Sequence, residues 1–328
     1  MFSAMPFSAI GTGTNPFIIE VDTSKAGSAN DAFQFTGAVG DYDVVAKQSG
    51  VIVQTFSNLS GQETITLSNG TGIYILEVTP KATGGFNRIN FNNGGDKLKL
   101  TDVKRWGNIV SSSFERSFFG CSNSPFTDTN APNLSIVTNM NSMFRDATVA
   151  NPNVFLWDVS SVTNMTFMFF RAIAANPQTA NWNVSNVTNM NSMFKDANSA
   201  NPNTTNWDVS NVGNMQQMFQ ASGSNPDVSL WNVSNVSNMR LMFGSASIAN
   251  PDMRNWDVSN VGTMQDMLSG ANLSTDNLDG CYTNWSQLTL RQNVSFSAGT
   301  TKFSAAAQAG RDILVNTYNW TITDGGVV

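Results

Sequence analysis

The sequence predicts a mainly β chain ending in an α/β solenoid: an N-terminal antiparallel β-sandwich, then a parallel-strand solenoid with short helices, then a C-terminal cap. Two observations carry this reading. Residues 17–96 hold short β-branched segments separated by Gly, Asn and Ser turns. Downstream, a block headed by tryptophan recurs, with Trp157, Trp182, Trp207, Trp231 and Trp256 spaced 25, 25, 24 and 25 residues apart. A period of about 20 to 50 residues, repeated at least three times, marks units that bury their apolar faces only against their neighbours.

The N-terminal part is read from Phe17 to Val21, Tyr42 to Val45, Val51 to Val53, Glu63 to Leu67 and Gly72 to Val78. Runs of this kind, bounded by turn residues, are the pattern of a small antiparallel sandwich over residues 17–96. Lys97 to Trp106 joins it to the repeats, and residues 1–16 form a separate N-terminal arm rich in Ser, Ala, Gly and Phe.

Each repeat is then read column by column. Trp is followed by Val two and five residues on, as in Trp182, Val184 and Val187, and this β-branched segment is expected to be a strand. Met follows eight residues after Trp, and again three later with Phe or Leu beside it, as in Met190, Met193 and Phe194. The i, i+3, i+4 spacing predicts a short helix with that face inward. Asn-Pro, as in Asn201-Pro202, ends the unit, because proline stops a helix and extends its predecessor. Degenerate copies upstream, at Leu134 to Phe144 and Trp106 to Phe118, take the solenoid over residues 97–272.

These motifs resemble the BspA-like leucine-rich-repeat surface proteins, whose units read much like Trp207-Asp208-Val209-Ser210-Asn211-Val212 followed by Asn214-Met215-Gln216-Gln217-Met218-Phe219. Residues 273–328 resemble that family's cap, with Trp285, Val294 to Gly299, a helix-like stretch from Ala305 to Tyr318 and the close Asn319 to Gly326. The resemblance covers residues 97–326. It implies a leucine-rich-repeat-like solenoid, extracellular display, and attachment to cells or host molecules. The N-terminal part resembles immunoglobulin-like or PKD-like domains that precede such repeats, without the Trp-Gly-Asp-Gly motif of the latter.

Composition excludes several function classes. A net charge of -6, with only 12% charged residues, argues against nucleic acid or an anionic membrane as partner, since both need clustered Lys and Arg. No apolar run reaches the roughly 18 residues needed to cross a bilayer. Histidine is absent, which removes the commonest general base and the usual zinc ligands, so no enzymatic activity is expected. The recurring Asp158, Asp208 and Asp257 share a column with Asn183 and Asn232, which reads as interchangeable acceptors and not as a catalytic pair or a calcium site. No metal and no cofactor is expected. Cys121 and Cys281 fall about six repeats apart, so two free, buried thiols are predicted.

Function is therefore sought where the copies disagree. Phe155, Phe167, Arg240, Leu241 and Arg254 occupy variable columns, and aromatic and arginine side chains dominate interface energetics, so these five are the candidate ligand-binding residues. Met1 to Pro16 lacks a basic residue, its apolar stretch is broken by Pro6, Ser8 and Gly11, and no lipobox cysteine is present, which reads as no secretion signal. The expectation is an extracellular binding protein, with the virion surface favoured over the bacterial cell surface. It would be a phage fibre or decoration protein, docked to other virion or cell-surface proteins through residues 1–96 and holding host surface protein or glycan through the solenoid. A structural decoration or assembly subunit and a bacterial secreted adhesin are the alternatives, and a homo-oligomer is expected in the virion readings.

Overall fold

The computed structural model describes residues 15–81 and 86–328, so the expected arm over 1–16 lies, but for Asn15 and Pro16, outside the described residues. Alternation of apolar and polar residues builds the N-terminal part. In β1 (Phe17–Asp22) the odd positions Phe17, Ile19 and Val21 are buried, and the same period recurs in β3 (Asp41–Gln48) and β6 (Ile73–Pro80). These strands form an antiparallel sheet with β4 (Val51–Ser60) and β7 (Leu100–Arg105), in the order β4-β3-β6-β1-β7. The second layer is a ribbon of only two strands, β2 (Ala32–Gln34) and β5 (Thr64–Thr66), where the sequence suggested a fuller sandwich. Phe35, just beyond β2, meets Tyr42 of β3 edge-on at 5.2 Å between ring centroids. The fifth strand, β7, comes from the stretch read as a joint, and pairs with β1 through two register shifts.

One buried ion pair sits under the ribbon. Lys99 is fully enclosed, with Nζ 3.8 Å from Asp96 and donating to the carbonyls of Ser28, Ala29 and Ala32. Asp96 accepts from the backbone N–H groups of Ser28 and Gln34, both at 2.6 Å. Desolvation lowers the Lys99 ammonium from its ordinary range, against the pull of Asp96 and Asp31. Both charges are thus lodged in fixed hydrogen bonds, the arrangement that makes loss of one partner costly.

The repeats correct the expected fold class. Residues 106–274 contain turns and single-residue bridges only, with no strand and no helix, and they do not close into a parallel-strand solenoid. The reason lies in the backbone of the Met segment. The second residue between the two methionines is left-handed in every copy, at Ser142, Phe167, Ser192, Gln217, Leu241 and Asp266 with φ between 53° and 57°. An L-residue at positive φ breaks a right-handed helix. The i, i+3 spacing of the methionines comes instead from a turn, in which the Met193 N–H donates to the Met190 carbonyl at 3.2 Å. The expected strand after each Trp is also a turn: Asp208 Oδ1 accepts the Ser210 N–H at 3.0 Å, and the Val212 N–H reaches back to the Val209 carbonyl at 2.9 Å. Parallel pairing survives at one residue per copy, along Asn139, Asn164, Asn189, Asn214, Asn238 and Thr263.

Neighbouring copies are joined by alternate backbone donors. Met190, Ser192, Phe194 and Asp196 donate to the carbonyls of Asn214, Gln216, Met218 and Gln220, all between 2.9 and 3.1 Å, and the pattern repeats along the stack. The expected core columns are core: the Trp, Val, Met and Phe positions of the repeats are at most 3% exposed. Trp182, Trp207, Trp231 and Trp256 stack with centroids 6.3 to 6.4 Å apart, and the Phe column from Phe169 to Phe243 stacks at 5.6 Å. Each of these indoles also donates to the preceding copy, as Trp256 Nε1 does to the Val228 carbonyl at 2.9 Å. The stack starts on the N-terminal part, whose Phe91, Asn92 and Asn93 N–H groups donate to the carbonyls of Ser117, Arg116 and Phe119.

The far end is closed by α1 (Thr275–Trp285), capped by Ser274, and by α2 (Gln308–Asn316), which falls within the helix-like stretch expected there. Between and after them, β8 (Ser295–Ser297) and β9 (Thr321–Thr323) pair in parallel. Cys121 and Cys281 are free and buried, and desolvation pushes both thiols well up from their ordinary range.

Candidate functional site

The five sequence-predicted residues fall on two different edges of the repeat. Phe155 and Arg254 each stand two positions before a tryptophan, whereas Phe167, Arg240 and Leu241 lie between methionines. Phe155 is 45% exposed, its N–H held by Asn153 Oδ1 at 3.2 Å. Arg254 is fully engaged: Nε meets Asp252 at 2.8 Å, and Nη2 meets Asp276 at 2.7 Å and Asn277 Oδ1 at 3.0 Å. Those carboxylates raise the guanidinium above the usual arginine range. Arg254 thereby clamps the last repeat onto α1, and Gly280 makes the room, since a Cβ there would lie 2.8 Å from Arg254 Cβ. Arg240 and Leu241 are half-buried, with Leu241 in the left-handed region at φ 56°.

Around Phe167 the structure does build a cluster. Side chains in one column lie one copy apart, so the position after the buried Phe brings Phe119, Arg145, Phe170 and Lys195 into file. The Arg145 guanidinium lies 5.0 Å from the Phe119 centroid, 5.2 Å from Phe167 and 5.0 Å from Phe170. Phe167 and Phe170 meet edge-on at 5.6 Å. Arg171 and Lys195 approach Phe170 at 5.2 and 5.8 Å. Asp146 and Asp196 hold the cations in place, with Arg171 contacts of 3.9 and 3.7 Å and an Arg145 contact of 3.6 Å. Cation–aromatic pairs at such sites contribute about 0.5 to 2 kcal/mol each, more as water is excluded.

The result is a strip on the Met-turn edge of the first copies, carrying Arg145, Arg171 and Lys195 on a chain that is acidic overall. Farther along, the same column becomes Gln220, Gly244 and Ser269, which leaves Arg240 as an isolated cation between the later methionines. Chemically the strip offers donors, positive charge and aromatic faces, which suit an anionic or planar partner. Sequence comparison found Phe167 but missed Arg145, Phe170 and Arg171. The column after the buried Phe varies as much as the one between the methionines, and that variation was the available signal.

The acidic column has a different role. Asp158, Asn183, Asp208, Asn232 and Asp257 each accept, through Oδ1, the N–H two residues on, at 3.0 to 3.1 Å. Asp and Asn are equivalent as acceptors here, which explains their exchange between copies. They bond within their own turn and not across copies. Hydrogen bonds from Ser210 and Ser229 hold the Asp208 and Asp227 carboxyls below their usual range. Among the described residues no three His, Cys, Asp or Glu side chains converge as a metal site would require.

Residues 112–225 and 204–308 match the model of a family described as Mycoplasma protein of unknown function, DUF285, and together they span more than half of the chain. No curated protein and no solved structure matches the chain.

Proposed function

The chain belongs to the DUF285 family, and on that premise we propose that it is a non-enzymatic binding protein displayed on the surface of a cell or a virion. The repeat stack carries recognition of a host surface protein or glycan, and the N-terminal β part anchors the molecule. Kinship with the BspA-like surface proteins belongs to the same reading and rests on the W-[DN]-V-S-x-V and M-x-x-M-[FL] motifs. The observation that carries it is the contrast inside each repeat: an interior repeated almost unchanged, and a Met-turn edge that in the first copies gathers three cations around three phenylalanine rings. An interior of that regularity serves stacking, and a half-buried cationic–aromatic edge with Arg171 exposed serves contact.

The test is binding of the fluorescently labelled full chain to a panel of animal and bacterial cells, with and without added salt. Saturable binding that weakens as salt rises supports the reading. Absence of saturable binding across the panel overturns it.

A second reading, a structural decoration or assembly subunit, is favoured by one observation. Strand β4 is the outer strand of the sheet, is ten residues long and contains no charged residue, with Val51 65% and Ile52 60% exposed. The opposite edge, β7, is covered, since the Asp128 N–H donates to the Val103 carbonyl and Asp102 accepts the Thr127 N–H. An uncharged open edge pairs readily with another strand. Light scattering of the full chain decides its weight: a dimer abolished by Val53→Lys supports assembly through β4, and a monomer removes this support.

A further inference from the structure

At the joint between the N-terminal part and the first repeat lies a cleft of about 550 Å³, lined on one side by Thr36, Gln62, Arg88 and Asn90 and on the other by Glu115 and Arg116. Its walls mix polar and apolar surface, and most of its side chains are polar. Ligand pockets of about 300 to 1,000 Å³ are more often apolar, so this one is suited to a hydroxylated ligand and not to a greasy one. Gly37, at φ 60°, lets the walls approach so closely that a Cβ there would stand 2.6 Å from the Asn90 carbonyl.

Two atoms of the lining are buried without a partner among the described residues: Arg88 Nε, a donor, and Asn90 Oδ1, an acceptor. The orientation of the Asn90 amide is fixed, because its Nδ2 donates to the Glu115 carbonyl at 3.0 Å. Arg88 forms no ion pair among the described residues. Buried polar atoms are nearly always satisfied, so an orphaned guanidinium nitrogen and an orphaned amide oxygen, two residues apart in the lining of one cleft, call for groups that answer each. At the mouth stands a second guanidinium, Arg116, 49% exposed and held only by Asn92 Oδ1 at 3.4 Å and Glu115 at 3.8 Å.

We infer that this cleft binds a carboxylated sugar: the carboxylate accepts from Arg88 and Arg116, and ring hydroxyls donate to Asn90 Oδ1 and the Glu115 carboxylate. An anion alone would leave Asn90 unanswered, and a neutral sugar would leave the two guanidinium groups unanswered. Planar guanidinium groups match carboxylate geometry, and such charge-assisted hydrogen bonds are about twice as strong as neutral ones. The inference stands on the cleft's own lining and does not need the Phe167 strip to bind anything.

The test is saturation-transfer NMR on the full chain with D-glucuronate and N-acetylneuraminate as probes and D-glucose as the neutral control. At least one acid is expected to bind in the millimolar range or tighter, with glucose about tenfold weaker or worse, and the better acid identifies the sugar class. Arg88→Gln should weaken the acid about tenfold, as should the exposed Arg116→Gln, whose folding is not at risk. Lys302→Gln, exposed in the C-terminal part and outside both the cleft and the strip, should leave it unchanged. Equal binding of glucose, no binding of either acid, or acid binding indifferent to Arg116→Gln would overturn the inference.

Discussion

The N-terminal β part and the repeat stack reach order by opposite routes. In the first, strands far apart in sequence pair antiparallel, as β1 does with β6 and β7, and no two strands do the same job. In the second, nearly identical turns 24 or 25 residues apart satisfy one another's backbone groups, and identity of neighbours replaces pairing of strands. The N-terminal part accommodates a buried Lys99–Asp96 pair because it has a unique place for each. Most columns that carry stacking recur in every copy, although the buried column of Val154, Thr179, Thr204, Val228 and Met253 varies. The lesson is that variation in an exposed column marks where the stack can specialise.

Four perturbations probe this contrast, and their effects should fall into separate halves of the molecule. Trp207→Ala removes a ring stacked on two neighbours together with its indole donor, and should cost about 3 to 5 kcal/mol. Amide hydrogen exchange should accelerate across residues 150–272 and stay unchanged in β1 and β6. Asp96→Ala is the mirror experiment. It leaves Lys99 buried and unpaired, costs about 3 to 5 kcal/mol, and should speed exchange in β2, β5 and β7 while the repeats stay protected.

Asn214→Ala tests a single column. Its Oδ1 accepts the Gln216 N–H at 3.0 Å, so the change should lower stability by about 1 kcal/mol, read as a shift in urea midpoint. The smallest effect is expected at Asp208, whose folded carboxyl is held down by Ser210. A depressed folded pKa gives stability that is present above the unfolded value, about 3.9, and is lost as pH falls below it toward the folded one. Asp208→Asn should therefore leave stability unchanged at neutral pH and slightly flatten its decline in urea melts below pH 4, since Asn accepts the same bond at any pH.

How much of this was legible in the sequence follows from the same contrast. The alternation of Phe17 to Val21 and Tyr42 to Val45 encodes strands directly, and β1, β3, β4, β5 and β6 lie where those segments stand. Strand β2 was missed because Ala32-Phe33-Gln34 carries no β-branched residue, whereas β5, equally short, is Thr-Ile-Thr. In the repeats the period was seen and its meaning misread. Spacing of i, i+3, i+4 describes the inner face of a helix and of a closed turn equally. The left-handed residue that separates them is Ser192, Gln217 or Leu241, with no Gly or Asn to announce it. Stacking by identical columns made the core legible to the residue. The surface was half legible: Phe167 stood out as an aromatic among polar counterparts, whereas Arg145 and Phe170 gain their significance only when neighbouring copies set them side by side. The cleft at the joint was not legible at all, because Arg88 and Arg116 come from different regions and meet only in the fold.

On the proposed function, the interior of the stack is scaffold and its cationic–aromatic edge is the contact surface. That assignment is tested most directly by comparing two full-length double variants in the cell-binding assay. One carries Arg145→Gln and Arg171→Gln in the strip, and the other carries Phe155→Ser and Leu230→Ser on the edge before the tryptophans. With the melting temperatures of both variants checked against the parent, the account predicts that the first loses about tenfold or more in affinity while the second binds as the parent does. Retained binding by the first, or equal losses in both, would contradict it.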